Sequence, residues 1–334
     1  MHEGEPAAAD GVKPGDGPAP WQEPVRGGHP SVELMGQPGA AFMRALREGG
    51  ALVPPISRLT GLELQDFAPG STTFTFPLSG WLAADDGRVP LGVLTIPADA
   101  AMACAIIATL PPDTSITTSE LALRQVRPVR PGGRLVVRGT MRPAGPPVAF
   151  AEATLTDQDG ELVAHAGSLC VTLPAVGAPP PPAPGPAPSG GPDGPTAHDP
   201  DPWQRPVPPG GTPLQRLTGM RPVEIGRGEA TFALPASPWL CAPPPGRVQG
   251  GSVATLAGAA ITAAIDSVTD DSEGLLPVEL KLNYLRPLAS DGREALAHAR
   301  LVHGGRRVAV ASAEVVDADG RAIAIATGSA VRAE

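Results

Sequence analysis

The strongest candidate for chemistry in this chain is a pair of glycines at the start of an apolar run. RVQGGSVATLAGAA (247–260) places Gly250 and Gly251 where a loop becomes a small-residue helix. The first turn of a helix leaves its N–H groups without intrahelical acceptors, and the helix dipole adds partial positive charge there. Such a turn suits a carbonyl oxygen that gains negative charge during acyl transfer. The same two glycines would also serve a tight turn or close packing. Other chemistries lack their residues. There is no GxxxxGK followed by Ser or Thr, no GxGxxG after a strand and no GxSxG elbow. His2, His29, His165, His198, His298 and His303 pair with no acids or cysteines at ligand spacing, so neither metal nor cofactor is expected. His303, in VHGGRRVAV, falls at a turn between strands. Cys104, Cys170 and Cys241 sit in no CxxC spacing and read as small buried hydrophobes.

The elements that must carry these residues come twice. SRLTGLELQDFAPGSTTFTFPLSGWL (57–82) aligns with QRLTGMRPVEIGRGEATFALPASPWL (215–240) at a constant offset of 158. SELALRQVRPVRPGG (119–133) matches VELKLNYLRPLASDG (278–292) at 159, and VAFAEATLTDQDG (148–160) matches VAVASAEVVDADG (308–320) at 160. One-residue slips over more than 100 positions identify a fused duplication. PWQEPV (20–25) even recurs as PWQRPV (202–207). Residues 1–35 read as a disordered tail, 36–173 as the first domain, 174–201 as a Pro/Gly-rich linker and 202–334 as the second domain.

Within each copy an alternating strand comes first, at Ser71–Pro77 and Glu229–Pro235. A small-residue apolar helix follows, around Pro97–Leu110 and Gly251–Thr269, and four more strands complete the copy. The segments Asp157–Gly160 and Asp317–Gly320 lack the remaining ligands of an EF-hand and supply hairpin turns. A helix that is apolar nearly all round is a buried one, so each copy is expected to wrap a sheet about its own helix. GAAFMRALREGG (39–50) adds a short amphipathic helix to the first copy alone.

Composition narrows the partners. The chain of 334 residues carries a formal charge of −9, which repels nucleic acid and anionic membranes alike. Gly 41 and Pro 44 make about a quarter of it, in keeping with linker and tail. The longest apolar run, Val89–Leu110, holds Asp99 and two prolines and makes a poor membrane span. No N-terminal apolar leader is seen, and a cytoplasmic protein is expected.

An Ala-rich helix opened by Gly-Gly, followed by a strand reading VELKLNYLRP (278–287), resembles the hotdog-fold thioesterases of the phenylacetyl-CoA (PaaI) type. The likeness covers most of 211–332 and, through the repeat, most of 56–173. It implies an α+β double hotdog: two antiparallel sheets, each around a central helix, joined edge to edge as an intramolecular pseudo-dimer. It also implies a substrate that is an acyl-CoA or an acyl-carrier protein thioester, and it allows two such chains to pair.

The family pattern is His-Gly-Gly, a carboxylate seven residues after the second Gly, and a hydroxyl two residues before the acid of the VEL-type strand. One protomer supplies the carboxylate and hydroxyl, and the facing protomer supplies the oxyanion-binding glycine. Here the second copy keeps Gly250 and Gly251, with Gln249 at the His position, but has Gly258 for the carboxylate and Pro277 for the hydroxyl. The first copy reads Pro90-Leu91-Gly92 at the glycine loop yet keeps Asp99 and Thr118. These losses are complementary. The resemblance therefore implies one composite site, with Asp99 activating water or attacking the thioester, Thr118 placing the water and the Gly250 N–H holding the oxyanion.

Gln249 and Gly251 would bind substrate beside them, and Trp81 and Trp239 would serve as core or as acyl-pocket walls. Pro97 implies a late helix start that leaves Asp99 in the first turn, where a dipole-stabilised capping acid is the competing role. A catalytically degenerate acyl-thioester binding protein and a cyclase or isomerase on the same fold stay open as alternatives. A dehydratase would want its acid five residues after Gly, and Pro97 occupies that offset.

Overall fold

β-Branched and aromatic alternation produces strands here, and the two Ala-rich runs produce the helices they cover. The computed structural model describes residues 18–48, 53–143, 145–174, 199–269 and 275–332. The linker expected at 174–201 lies, over 175–198, outside the described residues. The first copy contains α1 (Val32–Met35), α2 (Gly39–Glu48), α3 (Pro55–Thr60), β1 (Glu63–Ala68), β2 (Ser71–Pro77), α4 (Leu91–Ile107), β3 (Thr114–Gln125), β4 (Arg134–Arg142), β5 (Val148–Thr156) and β6 (Leu162–Pro174). The second contains α5 (Pro213–Thr218), β7 (Arg221–Gly226), β8 (Glu229–Pro235), α6 (Gly250–Asp266), β9 (Leu275–Tyr284), β10 (Glu294–Gly304), β11 (Val308–Val316) and β12 (Ala322–Arg332).

All twelve strands form one antiparallel sheet in the order β1-β2-β4-β5-β6-β3-β9-β12-β11-β10-β8-β7. The order reads the same from either edge, and the junction is β3 against β9, with Leu121 opposite Leu282 and Leu123 opposite Leu280. Two ion pairs flank that seam, Arg124–Glu279 at 3.0 Å and Lys281–Glu120 at 3.2 Å. Being half exposed, they fix register more than they add stability. Among the described residues each copy has six strands where five were expected. The extra edge strands β1 and β7 escaped the sequence reading because both are short and mostly exposed, and each is interrupted by a register shift.

Helices α4 and α6 are each seventeen residues long, buried on nearly every face, and packed on each other as well as on the sheet. Their N-terminal turns touch backbone to backbone. Thr95 Oγ1 donates to Gly251 O at 2.9 Å, and Thr255 Oγ1 donates to Gly92 O at 3.0 Å. A Cβ on Gly251 would lie 2.6 Å from Ile96 Cα, and one on Gly92 would lie 3.0 Å from Thr255 Cα. Close packing is thus one real task of Gly251.

Two expectations need correction. Helix α4 begins at Leu91 and runs through Pro97, which places Asp99 in its third turn rather than its first. Burial on all sides holds this helix together despite the backbone hydrogen bond that a proline removes. Residues 18–35 are not tail but strap. The indole of Trp21 lies over Gly219, the Trp239 Nε1–H donates to Glu23 O at 3.0 Å, and Glu23 pairs with Arg205 at 2.9 Å. Reciprocally, Trp203 lies over Gly61 and the Trp81 Nε1–H donates to Arg205 O at 2.8 Å. Each PWQ strap therefore crosses onto the other copy.

Candidate active site

The helix crossing brings the third turn of α4 to the first turn of α6. Asp99, only 7% exposed, accepts the Gly251 N–H on its Oδ2 at 3.3 Å. A Cβ placed on Gly250 would lie 3.2 Å from that same oxygen. The Gly250 N–H itself has no acceptor among the described residues, as expected of a first-turn donor. Thr118 reaches the carboxylate from β3, beside a register shift between Thr118 and Glu120 that breaks the pairing with β6. Its Oγ1 also lies 3.8 Å from Cys170 Sγ. Asp99, Thr118, Gly250 and Gly251 thus meet in one niche, built from both copies.

Burial dominates the electrostatics of this niche. It pushes the Asp99 carboxyl up to about 6, while the Gly251 N–H and the Thr118 hydroxyl pull the other way by favouring the charged form. Near neutral pH the group is mainly ionised yet poorly solvated, which suits a base or nucleophile. The neighbouring thiols do not compete. Burial and the Asp99 charge push Cys104 up to about 12 and also raise Cys170.

Gln249 forms the N-cap of α6 with extended backbone angles. Its Nε2 donates to Ile96 O at 3.0 Å, and its buried Oε1 has no partner among the described residues. An acceptor left open in this way beside the Gly250 N–H is a polar group waiting for a donor. Trp81 and Trp239 lie in the core, and their indole N–H groups are turned to the straps. Tyr284, at the end of β9, was not singled out from the sequence. Its hydroxyl donates to Gly250 O at 2.8 Å. The signal available was that it is the chain's single tyrosine, inside the NYLRP segment.

The symmetric niche is bare. Gly258 faces the Gly92 backbone, Pro277 stands where Thr118 does, and Leu91 replaces Gly250. A cavity of about 30 Å³, bordered by Leu91, Gly92, Gly258, Pro277 and Leu280, fills the place of the missing carboxylate. It has room for a water molecule or two. Among the described residues no cluster of His, Cys, Asp or Glu could hold a metal, and no helix is long and apolar enough to cross a membrane.

Comparison with known proteins agrees with the internal symmetry. Residues 91–164 and 245–324 each match the Thioesterase superfamily. No curated protein matches the chain. Among solved structures, the tesB protein of Mycobacterium avium subsp. paratuberculosis superposes with a TM-score of 0.58 at 13% identity, covering 84% of this chain and 98% of that one. A conserved protein of unknown function with a hot dog fold from Alicyclobacillus acidocaldarius gives 0.56 at 15% identity, covering 85% and 99%. The acyl-CoA thioesterase II TesB2 of Mycobacterium marinum gives 0.52 at 13% identity, covering 83% and 96%. Identities this low speak for the fold, which is the hotdog thioesterase fold with a large antiparallel sheet. With one match in each copy and this fold throughout, the chain is similar to the thioesterase superfamily along both repeats.

Proposed function

We propose that this chain hydrolyses an acyl-CoA or acyl-carrier-protein thioester at a single composite site, formed where its two copies meet as a double-hotdog pseudo-dimer of PaaI-like type. The observation that carries this reading is the 3.3 Å contact between Asp99 of one copy and the first-turn Gly251 N–H of the other. The thioester carbonyl lies against the positive end of α6, where the free Gly250 N–H receives the oxyanion as the carbonyl becomes tetrahedral. Ionised Asp99 removes a proton from the attacking water, which Thr118 holds, or attacks the carbonyl itself. On the water route, collapse of the tetrahedral centre expels the thiolate, which takes up the proton held by Asp99, and leaves the carboxylic acid. On the direct route it leaves an Asp99 acyl anhydride, which water then hydrolyses to the acid and free Asp99. Because Asp99 is so nearly buried, substrate entry requires side-chain movement at the niche. In this reading residues 36–173 and 202–334 are the two domains, the linker lets them pair, and the protein works in the cytoplasm.

Thiol release measured across short-chain, long-chain and aromatic acyl-CoAs, and an acyl-carrier protein, tests the proposal. Turnover of at least one class that disappears in Asp99→Asn is the expected result. A second reading, that of a non-catalytic acyl-thioester binder, draws on the second copy's departures from the family pattern at Gln249, Gly258 and Pro277. Saturable binding with no thiol release from any class would favour it and sink the hydrolase.

A further inference from the structure

Two hydrogen bonds at the niche end on the same peptide group. The Tyr284 hydroxyl donates to Gly250 O at 2.8 Å, and the N–H of the next residue, Gly251, donates to Asp99 Oδ2 at 3.3 Å. The Gly250 carbonyl and the Gly251 N–H belong to one planar peptide unit. A donor on its oxygen withdraws electron density from the unit and makes its N–H a stronger donor, so the two bonds reinforce each other. Glycine on both sides leaves this peptide without the restraint that a Cβ imposes, and the phenol fixes its orientation. A Cβ at Gly250 would lie 3.3 Å from both Tyr284 Cζ and Oη, which shows how tightly the ring covers this turn.

The other copy has no such chain of bonds. Gln125 stands at the position of Tyr284, and its Nε2 donates to Arg127 O in the following turn. The relay therefore exists only on the side that carries the carboxylate. We infer that Tyr284 is a positioning residue, which sets the orientation and the proton affinity of the Asp99 carboxylate through the Gly250–Gly251 peptide. This deepens, and rests on, the reading of Asp99 as the reacting base.

The titratable groups coupled to Asp99 are Cys104 on α4, Cys170 on β6 and Tyr284 on β9, each of which its charge pushes up, and its hydrogen-bond donors are Thr118 on β3 and the Gly251 N–H on α6. Of these only the Gly251 N–H and the Thr118 hydroxyl favour the ionised form by hydrogen bonding, and only the first is reached by Tyr284. Removing the phenol oxygen weakens that donor and raises the pH at which Asp99 ionises.

The test is Tyr284→Phe in the full chain, read in two independent ways. With aspartate carboxyl carbons labelled for NMR, the Asp99 resonance is the one that vanishes in Asp99→Asn. Its titration midpoint should lie higher in Tyr284→Phe than in the wild type, by about a few tenths of a unit. The rising acid limb of kcat/KM for thioester hydrolysis should move by the same amount, with kcat down roughly two- to tenfold, KM unchanged and the melting curve preserved. A midpoint that stays put or falls overturns the relay, whatever the rate does. Absence of hydrolysis in the wild type overturns the thioesterase reading instead, and the NMR titration still decides the role of Tyr284.

Discussion

The two helix-crossing niches share a backbone and differ in nearly every group that could react. At one, Asp99 meets Gly251, Thr118 and Tyr284; at the other, Gly258, Gly92, Pro277 and Gln125 stand in the same places. The packing task survives in both, since Gly92 and Gly251 each let the opposite helix approach through Thr255 and Thr95. The groups that could react stand together at one alone. In a homodimer of identical copies, a loss at one site is a loss at both. A fused pair can discard the acid from one copy and the glycine donor from the other while retaining one complete constellation. The reciprocal PWQ straps and the β3–β9 seam hold the copies in the geometry this arrangement needs.

The largest expected effect comes from removing the acid. Asp99→Asn should lower kcat by about 10²–10⁴-fold, the usual contribution of a general base. It should also raise stability. Burial lifts the Asp99 carboxyl from 3.8 to about 6, so the folded state binds a proton more tightly than the unfolded state. The stability associated with that proton is fully present below the unfolded value and lost as pH rises through about 6. Near pH 7 the wild type therefore carries a cost that Asn lacks, on the order of 1–3 kcal/mol. A higher melting temperature for Asp99→Asn near neutrality, closing at low pH, is the expected result. A lower one would make Asp99 a structural group. The same ionisation predicts a wild-type rate that falls with pH below about 6.

Next comes the donor. Gly250→Pro deletes the free N–H at a helix position that tolerates proline, and Gln249 already has the extended angles that a following proline demands. Gly250→Ala is the control, because it adds the same Cβ contacts but keeps the donor. Proline should cost about 10²–10³-fold in kcat relative to alanine, as for loss of one oxyanion donor. Equal rates would remove the Gly250 N–H from the mechanism.

Packing predicts a smaller asymmetry. Gly251→Ala drives a Cβ to 2.6 Å from Ile96 Cα, which is backbone and cannot swing aside, so a loss of about 1–3 kcal/mol is expected. Gly92→Ala meets Thr255 Cα at 3.0 Å, and the helix propensity gained over glycine, about 1 kcal/mol, offsets part of the crowding. Denaturant melts of the two variants check the order.

Much of this was legible in the sequence because the duplication could be read against itself. The paired hairpins follow from comparing positions at an offset near 159, the buried helices from their lack of a polar face, and the division of Asp99 and Thr118 from Gly250 from the resemblance to hotdog-fold thioesterases carried over residue by residue. What escaped were features that local pattern does not encode. The edge strand β7 is exposed on both faces and buries no apolar stripe, and Pro97 sits inside α4 because tertiary burial overrides its helix-breaking tendency. The crossing of the straps and the grip of Tyr284 on Gly250 join residues far apart in the chain, and no spacing rule reaches them.

The smallest effect should come from giving the bare niche its acid. A side chain at Gly258 starts with its Cβ 3.1 Å from Leu280 Cδ2 and 3.7 Å from Gly92 N, and the adjoining cavity of about 30 Å³ can take a carboxyl group. Gly258→Asp can therefore be accommodated, and the Gly92 N–H is near enough to meet it. The rest of the machinery is absent. Pro90, in the place of Gln249, has no N–H, Leu91 puts a side chain where Gly250 offers bare backbone, and Pro277 has no hydroxyl to hold water. An acid beside an N–H that the Leu91 side chain screens, and with no placed water, supplies only part of the machinery, and such parts act together rather than additively. The variant should hydrolyse thioesters at the wild-type rate to within about twofold. In the Asp99→Asn background it should restore nothing. Rescue there would mean that the two niches are chemically interchangeable, and that the asymmetry between the copies lies in the acid alone.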